Sequence, residues 1–314
     1  MTKPSPLADK LVVLVGGSGF IGSHLAQELL ARGARVRIAA REPEKAFRLK
    51  PLANLGQLQF ARCNAKDARS IAACVAGADA VVWLVGTFGA DQKALQAIGP
   101  GIAAEAARET GARGFVYLSA IGADASKETG YYRTKGEGEA LVREAFPQAT
   151  IVRPSAVFGE EDGFVPMFAD LVAKLPVLPV FGAQSKLQPV WVDDLAEAVA
   201  NALENPGAHG GKTYEAAGPE ALTMIEINEM IGAAQGRERS FFAMPDPLAK
   251  LVAAMPLTPI NSDQYAMLEQ GSTATPGMPQ IDELGVTPRP LSLFIDKWMV
   301  RYRKHGRFSE KRAV

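Results

Sequence analysis

Three observations predict an α/β fold built on a doubly wound parallel sheet. Apolar runs of strand length recur through the first half of the chain, and amphipathic stretches of helical period separate them. The first run, residues 11–15, breaks into a glycine-rich turn and then into a helical pattern. Strand–helix alternation of this kind makes neighbouring strands parallel, because each helix carries the chain back to the starting end of the sheet. With 314 residues, 47% of them hydrophobic, the chain suits one large α/β unit or a main domain with a smaller appendage.

The expected strands are 11–15, 36–40, 58–62, 80–85, 114–119 and 149–153. Helical patterns cover 23–31, 94–109 and 132–145. From about Phe158 the pattern loosens, and short runs at 177–181 and 188–192 are separated by Pro and Gly. Asp193 and Asp194 stand where carboxylates can accept the free N–H groups of a helix over 195–204. After Gly218 the chain reads as a mostly helical appendage rich in Pro and Met.

Composition excludes little by itself. Lys plus Arg equals Asp plus Glu, at 34 each, so charge gives no argument for a nucleic-acid partner. Cys63 and Cys74 have no metal-ligand spacing and read as buried, reduced thiols. The histidines show no metal spacing either, so no metal site is expected. The segment Met1–Pro6 lacks the apolar region of a secretory signal, and no apolar run is long enough to span a bilayer. A protein without signal peptide or transmembrane helix, in a reducing compartment, is expected.

The turn after the first strand reads Gly16-Gly17-Ser18-Gly19-Phe20-Ile21-Gly22. In a strand–turn–helix setting, Gly16 allows the tight turn, Gly19 lets the backbone approach a pyrophosphate, and Gly22 lets the helix pack closely. The helix N-terminus then offers N–H groups and a positive dipole end to the phosphates. This is how a Rossmann dinucleotide-binding domain begins, and the boundary is drawn at residue 160. Residues 1–160 form the nucleotide-binding domain. Residues 161–314 complete the fold, then add the helical appendage and a basic tail.

The second expected strand ends Ile38-Ala39-Ala40-Arg41, with no acid before Glu42. An NAD-binding domain places Asp or Glu there for the ribose 2′-OH, whereas Arg41 suits a 2′-phosphate. The residue types favour NADP(H); the alternative is a surface arginine and loose selectivity. Val85 and Gly86 leave room beside the adenine ribose, and Asn64 is placed to reach the adenine, although both also fit ordinary loop chemistry. Tyr131 and Lys135 are four apart and share a helix face. A lysine so placed can hold the nicotinamide ribose and lower the pKa of a tyrosine that acts as general acid or base.

With these residues in place the chain resembles the short-chain dehydrogenase/reductase superfamily, in its extended, atypical branch. The resemblance rests on the glycine turn and on Tyr131 with Lys135. It also rests on Arg153-Pro154-Ser155-Ala156-Val157-Phe158-Gly159 and on Gln188-Pro189-Val190-Trp191-Val192-Asp193-Asp194. It implies that Ser119, Pro154 and Val157 line the nicotinamide side of the cofactor. One departure concerns chemistry. Active members carry a Ser or Thr in the loop after the fifth strand, and here Ala120 and Ile121 occupy that register, with Ser119 too early. Without that donor a substrate carbonyl loses part of its polarisation, so no residue is assigned as catalytic; Tyr131 and Lys135 are the candidates if the protein turns over.

A narrower resemblance covers nearly the whole chain. Ser119-Ala120-Ile121-Gly122-Ala123-Asp124-Ala125, Tyr131-x-Arg133-Thr134-Lys135-x-x-Gly138-Glu139 and Phe146-Pro147-x-Ala149-Thr150-Ile151 are similar to the nucleotide-binding, thirty-nine-kilodalton type accessory subunit of respiratory complex I, in its α-proteobacterial form. The ending Leu284-Gly285-Val286-Thr287-Pro288 and Trp298-x-x-Arg301-Tyr302-Arg303 agrees. That resemblance implies tightly bound NADPH without established turnover and a peripheral place on the cytoplasmic face of the inner membrane. It further implies contacts with other complex I subunits. An NADP(H)-dependent reductase or sugar-nucleotide epimerase is the alternative, and a non-catalytic redox sensor a third reading.

Two C-terminal features bear on docking. The segment 248–255 is apolar over most of its circumference, with Lys250 its one charge, and suits either an interface or a lid helix over the cofactor cleft. The tail carries Arg301, Arg303, Lys304, Arg307, Lys311 and Arg312 among Trp298, Tyr302 and Phe308. It suits an anionic lipid surface or an acidic subunit groove, or is simply solvated.

Overall fold

Leu11–Val15 is buried at every position, as a strand covered on both faces must be, and it becomes the middle of a parallel sheet. The structure, a computed structural model, describes residues 4–253, 255 and 262–303. The strands in chain order are β1 (Leu11–Val15), β2 (Arg35–Ala40), β3 (Leu58–Arg62), β4 (Ala80–Trp83), β5 (Gly114–Leu118), β6 (Thr150–Pro154), β7 (Val157–Phe158), β8 (Val177–Val180), β9 (Lys186–Leu187), β10 (Val190–Trp191), β11 (Thr213–Ala216), β12 (Leu222–Thr223) and β13 (Ser240–Ala243). The α-helices are α1 (Phe20–Ala31), α2 (Ala68–Val75), α3 (Gly99–Glu109), α4 (Gly130–Ala145), α5 (Val165–Lys174), α6 (Val192–Glu204), α7 (Pro206–His209), α8 (Met224–Ala234), α9 (Asp246–Ala253), α10 (Ser262–Gln270) and α11 (Ser292–Trp298).

Two compact units emerge. The first runs to Pro154 and takes in Val192–Ala216 and Ala274–Thr287. Its seven-stranded sheet has the order β11-β6-β5-β4-β1-β2-β3, every pair parallel. The strand order reverses direction at β1, between β2 and β4. In such a doubly wound sheet this switch point opens a crevice at the carboxyl ends of the strands. One side of the sheet packs around Val13, Trp83, Phe115, Tyr117 and Ile151, all nearly inaccessible.

The helix expected over 94–109 is in two parts. Lys93–Ile98 is a π-helical turn that runs directly into α3, where Pro100 has no N–H to offer the Gln96 carbonyl four residues back. The wider turn has clear local causes. Trp83 Nε1 donates to the Leu95 carbonyl at 3.1 Å, and the Tyr117 hydroxyl donates to the Gln96 carbonyl at 2.6 Å. Tyr117 thus satisfies the carbonyl that Pro100 cannot, and Trp83 takes the one left by the Gly99 N–H, which bonds Ala94 instead.

The second unit holds Ser155–Trp191, Ala217–Thr273 and the chain from Pro288 onward. Its strands form three small pairs, β7 with β10, β8 with β13 and β9 with β12. Helices α5, α8 and α11 enclose a core that includes Phe158, Val172, Ile227, Ile231 and Trp298. A capping box starts α8: Thr223 Oγ1 accepts from the Glu226 N–H, and the Glu226 carboxylate accepts from the Thr223 N–H. In α9, Ala249 and Ala253 are buried, whereas Leu248, Leu251 and nearby Met255 are exposed. The tail residues Lys304, Arg307, Phe308, Lys311 and Arg312 lie outside the described residues.

Candidate functional site

The site begins with the turn that leaves β1. Gly16 has φ +89°, a left-handed conformation open to glycine, and its N–H donates to the Ala39 carbonyl of β2 at 2.8 Å. A Cβ at Gly22 would lie 2.6 Å from Gly17 Cα, so α1 packs directly on the turn. A Cβ at Gly19 would meet only the Gly16 carbonyl, at 3.3 Å. Gly19 is thus held bare toward open space rather than toward protein. It is also the N-cap of α1, and no side chain caps the helix. The N–H groups of the first turn lack intrahelical acceptors by construction, so they face that space as donors. A pyrophosphate fits this cradle on donor chemistry and on room. Ser18 and Phe20 flank Gly19 and are half-buried, and Ile21 and Gly22 continue the turn into the helix.

The opposite wall comes from β4. A Cβ at Gly16 would meet Val85 Cγ2 at 3.0 Å, so Val85 lies against the glycine turn. A Cβ at Gly86 would lie 3.7 Å from Lys135 Nζ and 3.8 Å from Gln96 Oε1. Val85 thus lies against the glycine turn and Gly86 beside Lys135, where the sequence reading expected both to leave room for the adenine ribose. Gln96 was not singled out from sequence. It is fully buried, accepts the Thr87 N–H at 2.7 Å and donates to Thr134 Oγ1 at 2.8 Å, which ties the loop after β4 to α4.

On α4, Lys135 is 3% exposed and its Nζ donates to the Leu118 carbonyl at 2.7 Å. Burial pushes this ammonium down to about 7, while the nearby Glu139 carboxylate pulls the other way. Tyr131 is half-buried and stacks on Phe88, with ring centroids 4.8 Å apart. Its ring centroid lies 5.9 Å from Lys135 Nζ. Burial, with a smaller contribution from Tyr132, raises the Tyr131 phenol above its ordinary value. The lowering expected of a neighbouring lysine does not appear, because desolvation dominates and the lysine is committed to a backbone carbonyl.

Behind Lys135 lies a carboxylate to which the sequence reading gave no role. Glu139 is 2% exposed and receives the Arg153 guanidinium in two bonds of 2.7 Å each. It also accepts from Ser119 Oγ at 2.6 Å and from Arg143 at 3.2 Å. The Ser119 hydroxyl is therefore turned into this network. Ala120 and Ile121 are buried, and the Ile121 N–H donates to the Pro154 carbonyl at 3.0 Å. Neither offers a side-chain donor. The exposed Ser126 hydroxyl donates to Asp124 at 2.7 Å, within its own turn. Val157 belongs to the second unit, where it pairs with Val190.

Arg41 is exposed just past β2. Arg48, from the 3-10 segment Pro43–Leu52, donates to Ser23 Oγ at 3.2 Å and so brings a second guanidinium to the first turns of α1. Only folding reveals it, because 25 residues separate the two partners. Asn64 is exposed and folds back on itself: its Oδ1 accepts the Lys66 N–H at 3.1 Å, and its own N–H donates to Ser70 Oγ at 2.9 Å. Its Oδ1 thus already has one donor. Among the described residues no cluster of His, Cys, Asp and Glu could hold a metal ion.

Comparison with known proteins agrees with this geometry. The family described as NAD(P)H-binding matches residues 16–206. NADH dehydrogenase (ubiquinone) 1 alpha subcomplex subunit 9 of Arabidopsis thaliana mitochondria is 30% identical, over 96% of this chain and 80% of that protein. Its counterpart in Mus musculus is 30% identical over 96% and 82%. Among solved structures, a nucleoside-diphosphate-sugar epimerase from Staphylococcus aureus superposes with a TM-score of 0.72 at 17% identity, covering 91% of this chain and 99% of its own, which is a likeness of fold. The chain is a member of the NAD(P)H-binding family and, within it, of the family of NADH dehydrogenase (ubiquinone) alpha subcomplex subunit 9.

Proposed function

We propose that the protein is a non-catalytic accessory subunit of respiratory complex I that holds NADP(H), as NADPH and tightly, as a resident nucleotide. In this reading the glycine turn from Gly16 to Gly22 takes the pyrophosphate and Arg41, with Arg48, takes the 2′-phosphate. Asn64, Val85 and Gly86 flank the adenosine, and Ser119, Tyr131, Lys135 and Pro154 attend the nicotinamide side. A bound nicotinamide supplies hydride chemistry at its C4. This chain's own residues do something else there: they bind, orient and exclude water.

The observation that carries the reading is the commitment of Ser119 to Glu139, with Ala120 and Ile121 filling the loop after β5. A reductase needs a donor at that loop for the substrate oxygen, and the hydroxyl nearest in sequence is already spent on Glu139. A ligand that binds the folded state alone stabilises it by mass action, so a nucleotide contributes to the assembly without turning over. Similarity to subunits of NADH dehydrogenase supports placement in complex I. No helix among the described residues is long and apolar enough to cross a membrane, and a peripheral position on the cytoplasmic face of the inner membrane is part of the proposal. The exposed Leu248, Leu251 and Met255 supply an apolar surface for lipid or subunit contacts, and the basic composition of the sequence after Lys297 favours an anionic partner.

The test is a pull-down of a tagged copy after gentle detergent extraction of native membranes, with the bound nucleotide identified by mass spectrometry. Stoichiometric complex I subunits together with NADPH are the expected result. A chain recovered alone and soluble overturns the accessory-subunit reading and returns attention to a substrate for Tyr131.

A further inference from the structure

The fold treats the two edges of the seven-stranded sheet differently. Beside β11 the chain returns to cover the edge: the Glu215 N–H donates to the Pro279 carbonyl at 2.8 Å, and a bridge joins Glu215 to Gln280. At the other end β3 is the last strand, and among the described residues it pairs with β2 alone. The Val36 N–H donates to the Gln57 carbonyl at 2.7 Å and the Cys63 N–H to the Ala40 carbonyl at 2.9 Å, so the odd-numbered residues along β3 serve β2. In a parallel ladder the residues between them turn both polar groups the other way. The N–H groups of Leu58, Phe60 and Arg62 and the carbonyls of Leu58 and Phe60 therefore face outward, and among the described residues none of them has a partner. The Arg62 carbonyl accepts from the Cys74 thiol at 3.4 Å.

Apolar side chains border that edge. Phe47 and Leu52, from the 3-10 segment, are 46% and 55% exposed, and Leu55, in the turn that enters β3, is wholly exposed. Phe47 packs on Phe60 with ring centroids 4.8 Å apart, and Lys50 Nζ lies 3.6 Å from the Phe47 centroid and 5.6 Å from that of Phe60. Arg62 and Lys66 have carboxylate partners in Glu44 and Asp91, whereas Lys50 has none among the described residues. The register of β3 with β2 is regular and the strand holds no proline, so two of the devices by which an edge refuses a partner are absent from it. Water satisfies an exposed N–H, but it does nothing for Phe47, Leu52 and Leu55. An extended polypeptide answers both, since its main chain repeats donor and acceptor at the spacing of β3 and its alternate side chains lie on one face.

We propose that the β3 edge is a docking strip for an extended segment of a different polypeptide, which adds an eighth strand by main-chain bonds to Leu58, Phe60 and Arg62. Its apolar side chains cover Phe47, Leu52 and Leu55, and an acidic residue faces Lys50. Charge separates this occupant from a second copy of the chain. Two copies paired antiparallel about Phe60 would set both Lys50 ammoniums on one face beside the paired Phe60 rings, like charge against like. The inference concerns the nucleotide unit alone, and it does not depend on which assembly the chain joins or on whether the nucleotide turns over.

The test places photoreactive benzoylphenylalanine at Leu52 or at Leu55, both exposed, in a tagged full-length chain made in its native cells. After irradiation the adduct is purified on the tag and the joined peptide identified by mass spectrometry. Both positions should join one short segment of another protein, apolar at alternate residues and carrying an acid. That segment, made as a synthetic peptide, should bind the purified full-length chain. Phe60→Pro removes the outward donor and spares every bond to β2, and it should weaken the peptide by at least about tenfold while circular dichroism stays unchanged. If Phe60→Pro fails to fold, peptides N-methylated at alternate residues answer on the wild-type chain: methylation in one alternation should abolish binding, and in the other should leave it. No adduct from either position would overturn the proposal, as would an adduct to a second copy of the chain. Peptide binding indifferent to Phe60→Pro or to both methylation patterns would overturn it too. An adduct on a protein outside complex I would uphold the docking strip and count against the subunit reading, so the two fail separately.

Discussion

Lys135 Nζ is anchored to the Leu118 carbonyl at 2.7 Å, so the lysine on α4 is fixed to the last residue of β5 by the fold itself. That bond aims the ammonium at the loop ends where a nucleotide ribose is proposed, at the cost of burying a charge.

The cost gives a pH signature. Burial lowers Lys135 from the ordinary 10.5 to about 7, so between these values the unfolded chain binds more protons than the folded protein. Stability therefore rises with pH across that window: the penalty is fully present below the lower value and relieved above the upper one. Relative to Lys135→Met, the wild type should gain stability with a slope of at most about 1.4 kcal/mol per pH unit. Urea denaturation of both proteins from about pH 6 to about pH 9 checks this; parallel stability curves would dismiss it.

Glu139 should be the most sensitive charge in the first unit. Glu139→Gln keeps the shape but leaves the Arg153 fork and Arg143 without their carboxylate. Breaking a buried pair from one side costs about 3 kcal/mol. Guanidinium denaturation should show the loss, and Ser119→Ala, which removes one neutral donor to the same carboxylate, should cost about 1 kcal/mol.

The glycines separate folding from binding. Gly22→Ala drives a methyl to within 2.6 Å of the Gly17 backbone and should destabilise the protein by roughly 1–3 kcal/mol or more while also releasing nucleotide. Gly19→Ala meets a single carbonyl oxygen at 3.3 Å and should fold nearly as well, yet bind nucleotide far more weakly. Thermal melts paired with nucleotide titrations distinguish the two. Equal affinity in Gly19→Ala and wild type would remove the pyrophosphate from this turn.

Arg41→Ala should reduce the preference for NADPH over NADH by about tenfold, the scale of one charge-assisted hydrogen bond. NADH affinity should stay nearly constant. Calorimetric titration with both nucleotides measures the ratio, and an unchanged ratio would shift the assignment to Arg48.

How far the sequence discloses this structure varies by element. Strands 11–15 and 58–62 are found with those limits: the first is buried and apolar along its length, and the second, a half-buried edge strand, is cut off by turn residues. The π-turn at Lys93–Ile98 was not legible, since its causes are Trp83 and Tyr117, which reach it from other strands. β11 was missed because its four residues, Thr213–Ala216, carry Glu215, and a carboxylate argues against a buried strand. In the fold Glu215 is 1% exposed and satisfied by Thr275, whose N–H and hydroxyl donate to it at 2.6 and 2.9 Å. Of the candidate site, the glycine turn and Lys135 were readable from local spacing. Gln96, Glu139 and Arg48 were not, because each acts through a partner distant in sequence.

The seventh strand has a further consequence, for the making of the protein rather than its use. β11 pairs with β6, and its Glu215 is held by Thr275 and, through the backbone, by Pro279. The nucleotide unit is thus assembled from three stretches of chain, the last ending at Thr287. During synthesis the sheet has an open edge at β6 until β11 emerges, and the clasp on β11 arrives only when nearly the whole chain has left the ribosome. An early-stalled product would expose that edge to neighbouring chains, so the unit's completion is timed by its most distant segment.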